Sequence, residues 1–338
     1  MMLPKERVLN AILGKEVDHI PATCVNSTAT LDQMEKIGVY WPEAHVNPEK
    51  MAKLAAAAYE IAGLETAKVP FDQAVEAEAL GCTIHMPGTK DTFPAVKATP
   101  FKERLEQIEK PSDFLERGRV PVVVKAVKML SLNVGDKLPV MAAIVGPFTL
   151  LSHLTGLVGL FKLMKKEPEK VFSLLQIPIK VAVEYGNTLI DSGADVIVIE
   201  DMGASGQNIG PNNFDLYAKP ALQKVIEGLH GLVVLHICGF CDATLGSMVE
   251  TGAHAISIDA KTDAKIAKKK GKGKVTVIGN VDTKVLLEGT PPIVRDESIR
   301  ALKDGVDLLA PACSLDAHTP LANIEAMVNV AGESAKKY

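Results

Sequence analysis

The chain has 338 residues, 47% hydrophobic and 23% charged, a globular composition with enough length for a large core. Its net charge of −4 offers no field for nucleic acid or an anionic membrane, and aromatics at 4% leave little for a base-stacking platform. The start MMLPKERVLN is charged, and no uninterrupted apolar run reaches spanning length, so a cytoplasmic protein is expected. Its five cysteines, Cys24, Cys82, Cys238, Cys241 and Cys313, are an odd number. In a cytoplasmic setting that argues for metal binding, catalysis or burial rather than a disulfide framework.

In chain order, residues 1–18 read as an N-terminal helical extension with a short helix over 4–14. A first strand follows at IPATC (20–24). Asn47-Pro48-Glu49 is a helix start, a capping asparagine with proline at the first helical position, and Gly63 is the stop. A second strand is AKVPF (67–71). The proline-rich stretch 81–118 after it should emerge at the catalytic end, as a lid or as a surface hairpin. PVMAAIVG (139–146) is the third strand.

Three later segments resemble one another: DSGADVIVIE (191–200), ETGAHAISID (250–259) and KDGVDLLAPA (303–312). Each carries a glycine suited to the left-handed end of a helix, then a buried strand. The glycines lie 59 and 53 residues apart, about twice one strand-plus-helix unit. The intervening strands are LVVLHICG (232–239) and VTVIGNV (275–281). Eight strands alternating with helices predict one (β/α)₈ barrel over residues 1–338. No Gly-x-Gly-x-x-Gly fingerprint follows any of them.

His236 and Cys238 are two apart, so their side chains share a face at the C-terminal end of a strand. Cys313 ends the last strand at the same rim, where barrels carry their chemistry. One histidine and two cysteines form a zinc set with a fourth position open to substrate. A lone histidine or cysteine would ordinarily be a core residue, but matching parity at one barrel end favours the metal. Cys241, in Cys238-Gly-Phe-Cys241, is the rival third ligand. Asp259 in SIDAK could fill the fourth position, act as a base behind the ligands, or cap a loop. Asn280 in GNVD, Glu200 and Asp201 are rim candidates by position, with Asn280 expected to meet substrate. The run KKKGKGK (268–274) precedes a strand, which puts it at the opposite end as a solvated loop.

At LHICG, SIDAK, GNVD and LAPAC the chain resembles the uroporphyrinogen decarboxylase superfamily, and within it the methylcobalamin:coenzyme M methyltransferases of methanogenic archaea. The likeness runs nearly end to end through PKERVLNAILGKEVDHIPA, YWPEAH, FDQAVEAEALGC and VGPFTL. The superfamily's decarboxylases use no zinc and carry an arginine-rich stretch after the first strand; here ATCVNSTAT (22–30) has no arginine. The resemblance implies one Zn²⁺ per chain on His236, Cys238 and Cys313. Asp259 stands where the family usually has glutamate, as a temporary fourth ligand. It further implies methyl transfer from methylcobalamin to the thiol of coenzyme M, in methanogenesis from methylated compounds. The corrinoid would ride on a separate protein, since no D-x-H-x-x-G motif is present. Lys261 is then the candidate cation for the coenzyme M sulfonate. Two alternatives stay open: methyl transfer to another thiol such as homocysteine, and a corrinoid-protein docking module with structural zinc.

Overall fold

Runs such as Val140–Val145 and Val196–Glu200 are buried along their whole length. A strand can be apolar on both sides only where both faces are covered, here by helices on one and a closed interior on the other. The computed structural model, which describes residues 2–334, has that architecture. In chain order the strands are β1 (Ala67–Val69), β2 (Thr83–His85), β3 (Ala95–Ala98), β4 (Val140–Val145), β5 (Val196–Glu200), β6 (Leu232–Ile237), β7 (Ala255–Ile258), β8 (Thr276–Val281) and β9 (Leu308–Pro311). Seven of them form one parallel sheet in the order β1-β4-β5-β6-β7-β8-β9.

The expected first strand at 20–24 is shorter than predicted. It contributes a single parallel bridge, Ala22 to Leu309. Around it, Thr23 N–H donates to Leu309 O at 2.9 Å and Leu309 N–H to Pro21 O at 3.0 Å. On its other edge, Glu65 N–H donates to Ala22 O at 2.8 Å. This segment therefore joins β9 to the edge beside β1 and occupies the eighth place. Pro21 has no N–H to extend the ladder, which limits the pairing.

Side-chain parity divides the core in two. Met141, Ala143, Val196, Val198, Val234, Ala255, Ile278, Leu308 and Ala310 form an interior cluster, while the alternate residues pack under the helices. Val8, Ala11 and Ile12 of helix Pro4–Ile12 belong to the interior cluster, so the N-terminal helix plugs the barrel. It does so at the end where the strands begin, because Thr276 Oγ1 donates to Ile12 O at 3.0 Å. The lysine run lies at this same end, with Lys268 Nζ 2.6 Å from Asp307.

Helix Pro48–Ala62 has the predicted ends: Asn47 accepts from Lys50 N–H at 2.9 Å, and Gly63 is left-handed at φ 75°. Such a side-chain cap contributes about 1 kcal/mol. Stretch 81–118 contains the antiparallel hairpin β2–β3 followed by short turns. Among the described residues no single helix is long and apolar enough to cross a membrane.

Candidate metal centre

The inward parity that buries Val234 in the barrel also carries His236 and then Cys238 to its upper rim. His236 is completely buried. Its Nδ1 lies 3.0 Å from Ser257 Oγ on the neighbouring strand, while Nε2 is buried without a partner. An imidazole oriented through one nitrogen, with the other turned toward the cysteine sulfurs, is the arrangement of a metal ligand. Cys313 comes from the loop after β9. The ligand atoms of His236, Cys238 and Cys313 all lie within 4.8 Å of one another.

The turn after His236 is tied residue by residue. Gly239 takes φ 93°, a left-handed backbone that suits glycine. Gly239 N–H donates to Asp259 Oδ2 at 2.9 Å, Phe240 N–H to Gln207 Oε1 at 3.2 Å and Cys241 N–H to Thr262 Oγ1 at 3.0 Å. Thr262 Oγ1 in turn donates to Gly239 O at 2.9 Å. This positioning separates the two rival cysteines. Cys238 faces the cluster, whereas Cys241 is buried with its sulfur 4.0 Å from Ile237 O and outside the cluster.

The thiols are electrostatically crowded. The Cys238 S–H has two acceptors, Asp259 Oδ2 at 2.9 Å and the Cys313 sulfur. The hydrogen bond from Cys238 outweighs burial and, with nearby His236, brings the Cys313 thiol down from its ordinary value. Cys238 is pushed upward by the Cys313 sulfur, by burial and by Asp259. Two sulfurs, an imidazole nitrogen, a carboxylate and the Cys238 proton thus meet at one point. A dication that replaced the proton would relieve the crowding, so the residues fit a metal.

Asp259 lies directly behind Cys238, and both its oxygens are engaged. Oδ1 accepts from Lys261 N–H at 2.9 Å. Burial pushes its pKa up, but the donors from Cys238, Lys261 and Gly239 push it down by more, and the net direction is below the ordinary carboxylate value. Asn280 departs from the expected substrate contact. It is 1% exposed, and its amide donates to Asp259 O at 3.3 Å and Thr262 O at 3.0 Å, while Oδ1 accepts from Arg300. It therefore holds the loop that carries Asp259. Lys261 is exposed on the rim, where its backbone N–H supports Asp259.

Asp201 has a structural place. It accepts from Thr149 N–H, Thr149 Oγ1 and Phe148 N–H at the start of helix Pro147–Thr155, and burial pushes its carboxyl up to about 6. Glu200 sits in register with His236 and faces the interior. Its Oε1 lies 2.9 Å from Lys68 Nζ, and its Oε2 accepts from Gln73 at 2.6 Å. Cys24 and Cys82 are buried packing residues, as expected.

Sequence reasoning did not single out Lys68, which is 1% exposed. The available signal was a lysine at inward parity between Ala67 and Val69 in a buried strand. Lys68, Gln73, His153, Glu200, Met202 and Ser314 line a cavity of about 290 Å³, with residues 93–96 of the hairpin segment as its cover. Glu200 and Ser314 place this cavity against His236 and Cys313, its partner in register and its chain neighbour. Burial pulls His153 down to about 4, so it is neutral there. The hairpin reading of stretch 81–118 thus holds, and the hairpin segment covers part of the mouth.

Fold and site together define a parallel α/β barrel with three candidate metal ligands converging at the rim where its strands end. The chain belongs to the uroporphyrinogen decarboxylase (URO-D) family, whose sequence profile matches residues 3–334. It is 38% identical over 326 residues to a methylcobamide:CoM methyltransferase, MtaA, of Methanosarcina barkeri strain Fusaro, covering 96% of each chain. It is also 38% identical over 340 residues to the methylcobamide:CoM methyltransferase MtbA of Methanosarcina acetivorans, covering 99% of this chain and 98% of that one. Its fold matches a solved methyltransferase from Methanosarcina mazei with a TM-score of 0.95 at 36% identity, over 98% and 99% of the two chains.

Proposed function

We propose that this chain is a methyltransferase that moves a methyl group from a methylated corrinoid to the thiol of coenzyme M, in methanogenesis from methylated compounds. The observation that carries the reading is the convergence of His236, Cys238 and Cys313 within 4.8 Å, beside a cavity of about 290 Å³ at the barrel mouth. That volume is at the small end of ligand pockets and suits a short thiol. The names of relatives at 38% identity over almost the whole chain support the choice of coenzyme M and methylcobamide.

His236 Nε2, Cys238 and Cys313 would hold one Zn²⁺ through a nitrogen and two thiolates, leaving a fourth position for the substrate thiol. Zinc, when bound, lowers the thiol pKa and keeps the sulfur anionic yet nucleophilic. Ser257 orients His236 through Nδ1, and Asp259 is placed to accept the proton that Cys238 or the incoming thiol gives up. Lys68 is the cation we assign to the sulfonate, because it is buried in the cavity wall while Lys261 is exposed on the rim. In the transfer, a carbon–sulfur bond forms as the cobalt–carbon bond breaks, and the electron pair of the broken bond stays on cobalt. A separate corrinoid protein would carry the donor to the mouth.

The test is transfer from free methylcobalamin to coenzyme M, with metal content measured in parallel. We expect about one zinc per chain, loss of metal and activity in Cys238→Ala and Cys313→Ala, and retention of metal in Cys241→Ala. Transfer that proceeds at full rate after the zinc is stripped would overturn the reading. So would preference for homocysteine in direct competition, or a four-ligand zinc spectrum that ignores added thiol.

A further inference from the structure

We infer that Phe240 is an apolar platform for the corrin macrocycle of the methyl donor, an inference that rests on the function proposed above. A single exposed apolar side chain needs no explanation by itself. Phe240 is distinguished by its place and its rigidity. The residue is 49% exposed, two positions from Cys238, on the rim beside the candidate metal site.

The backbone beneath it is fixed at every step. Gly239 is held by Asp259, Phe240 by Gln207, and Cys241 by Thr262. Asp242 Oδ1 accepts from Asp263 N–H at 2.9 Å. Gly206 brings helix Gly206–Asn213 so close that an added Cβ there would stand 3.0 Å from Phe240 O. The turn's N–H groups are spent on the protein, and the Phe240 side chain is left about half exposed. Holding an apolar ring in water brings no folding benefit, since no core is gained.

Geometry supplies the occupant. The transferred methyl must come within bonding distance of a sulfur at the Cys238 site. A corrin macrocycle with its peripheral chains is larger than the cavity of about 290 Å³, so it stays outside and lies across the rim. A broad, largely apolar ring whose centre lies above Cys238 has to overlap the residue two positions along. The phenyl ring then removes apolar surface of the macrocycle from water and limits its tilt, which is a positioning role.

The experiment is equilibrium dialysis of free methylcobalamin against the zinc-loaded full chain. Phe240→Ala is expected to raise the Kd, and the KM for methylcobalamin, by about tenfold. Phe240→Trp should stay within about threefold of the parent, since an aromatic face is retained. Zinc content and the KM for coenzyme M should not move in either variant. Leu132→Ala, at an exposed apolar residue on the outer helix Val120–Asn133, should bind methylcobalamin normally. Unchanged corrinoid binding in Phe240→Ala overturns the inference, as does a parallel loss of zinc or of coenzyme M affinity. Parent protein that binds methylcobalamin through Phe240 but never methylates coenzyme M would overturn the proposed reaction and leave the platform standing.

Discussion

Cys238 Sγ lies 2.9 Å from Asp259 Oδ2, so one carboxylate oxygen serves both a candidate metal ligand and the backbone N–H of Gly239 that follows it. Asp259 thereby couples the ligand to the turn that carries it. Replacing it with asparagine keeps the size and removes the charge. We expect Asp259→Asn to retain zinc but bind it about tenfold more weakly, the lower end of what partners behind metal ligands contribute. Competition with a chromogenic chelator measures this, and an unchanged zinc affinity would remove Asp259 from the centre.

Lys68 and Glu200 form a buried ion pair at 2.9 Å in the cavity wall. Removing one partner leaves the other charge buried, at a cost of about 3–5 kcal/mol. Lys68→Met is therefore expected to lower the unfolding midpoint clearly, and the double variant Lys68→Met, Glu200→Gln to recover much of the loss. Affinity should not recover with stability. If Lys68 meets the sulfonate, the double variant keeps a raised KM for coenzyme M while 2-mercaptoethanol, which has no anionic tail, is little affected. Equal effects on both thiols would exclude the assignment.

Glu76 is a fully buried acid that accepts from Val145 N–H at 2.6 Å. Burial raises its carboxyl from 4.5 to about 7. The folded state holds this proton more tightly than the unfolded state. Its contribution to stability is thus complete below about pH 4.5 and is lost as pH rises through about 7. The expected size is roughly 3 kcal/mol across that window. Glu76→Gln keeps an acceptor for Val145 and should flatten the fall in stability between pH 5 and 8, as read from denaturant midpoints. A variant with the parent's full pH slope would assign that slope elsewhere.

The pair Asp72–Arg119 anchors another wall of the same cavity. Arg119 Nη1 and Nη2 meet the two Asp72 oxygens at 2.6 and 2.9 Å, and Nε meets Glu78 at 2.7 Å. Against complete burial, His45 and then the Arg119 guanidinium hold Asp72 well below the usual carboxylate range. Arg119→Lys cannot reproduce the two-pronged contact. We expect it to destabilise the fold by about 2 kcal/mol, with zinc content unchanged; a neutral effect on stability would contradict the geometry.

Where a residue's role followed from strand parity, it was legible in the sequence. His236 and Cys238 share the inward face with Val234, and the glycines at 193, 252 and 305 do take left-handed backbone before their strands. Cys313 was legible as the end of the last strand, and the structure brings it to the other two. Features set by contact between distant segments were not legible. Lys68 meets Glu200 across 132 residues of chain, and Asp72 meets Arg119 across 47. No local pattern encodes such pairs, because each is created by the closing of the sheet. Asn280 was expected at the mouth, but its partners could not be read: position at the end of a strand says nothing about the loop carbonyls and the helix arginine that the side chain meets. The first strand shrank to one bridge through Pro21, a residue type whose missing N–H was visible from the start.

The helix Pro4–Ile12, wedged into the barrel opposite the candidate metal, has a kinetic consequence. A barrel stoppered at one end is a blind alley. On the function proposed above, the small thiol has to enter before a macrocycle covers the mouth, and the methylated thioether has to wait until that cover lifts. Turnover would then follow a compulsory order, first in and last out for the small molecule. The packed interior around Met141, Val198, Val234 and Ile278, closed from below by the N-terminal helix, would be what enforces the queue.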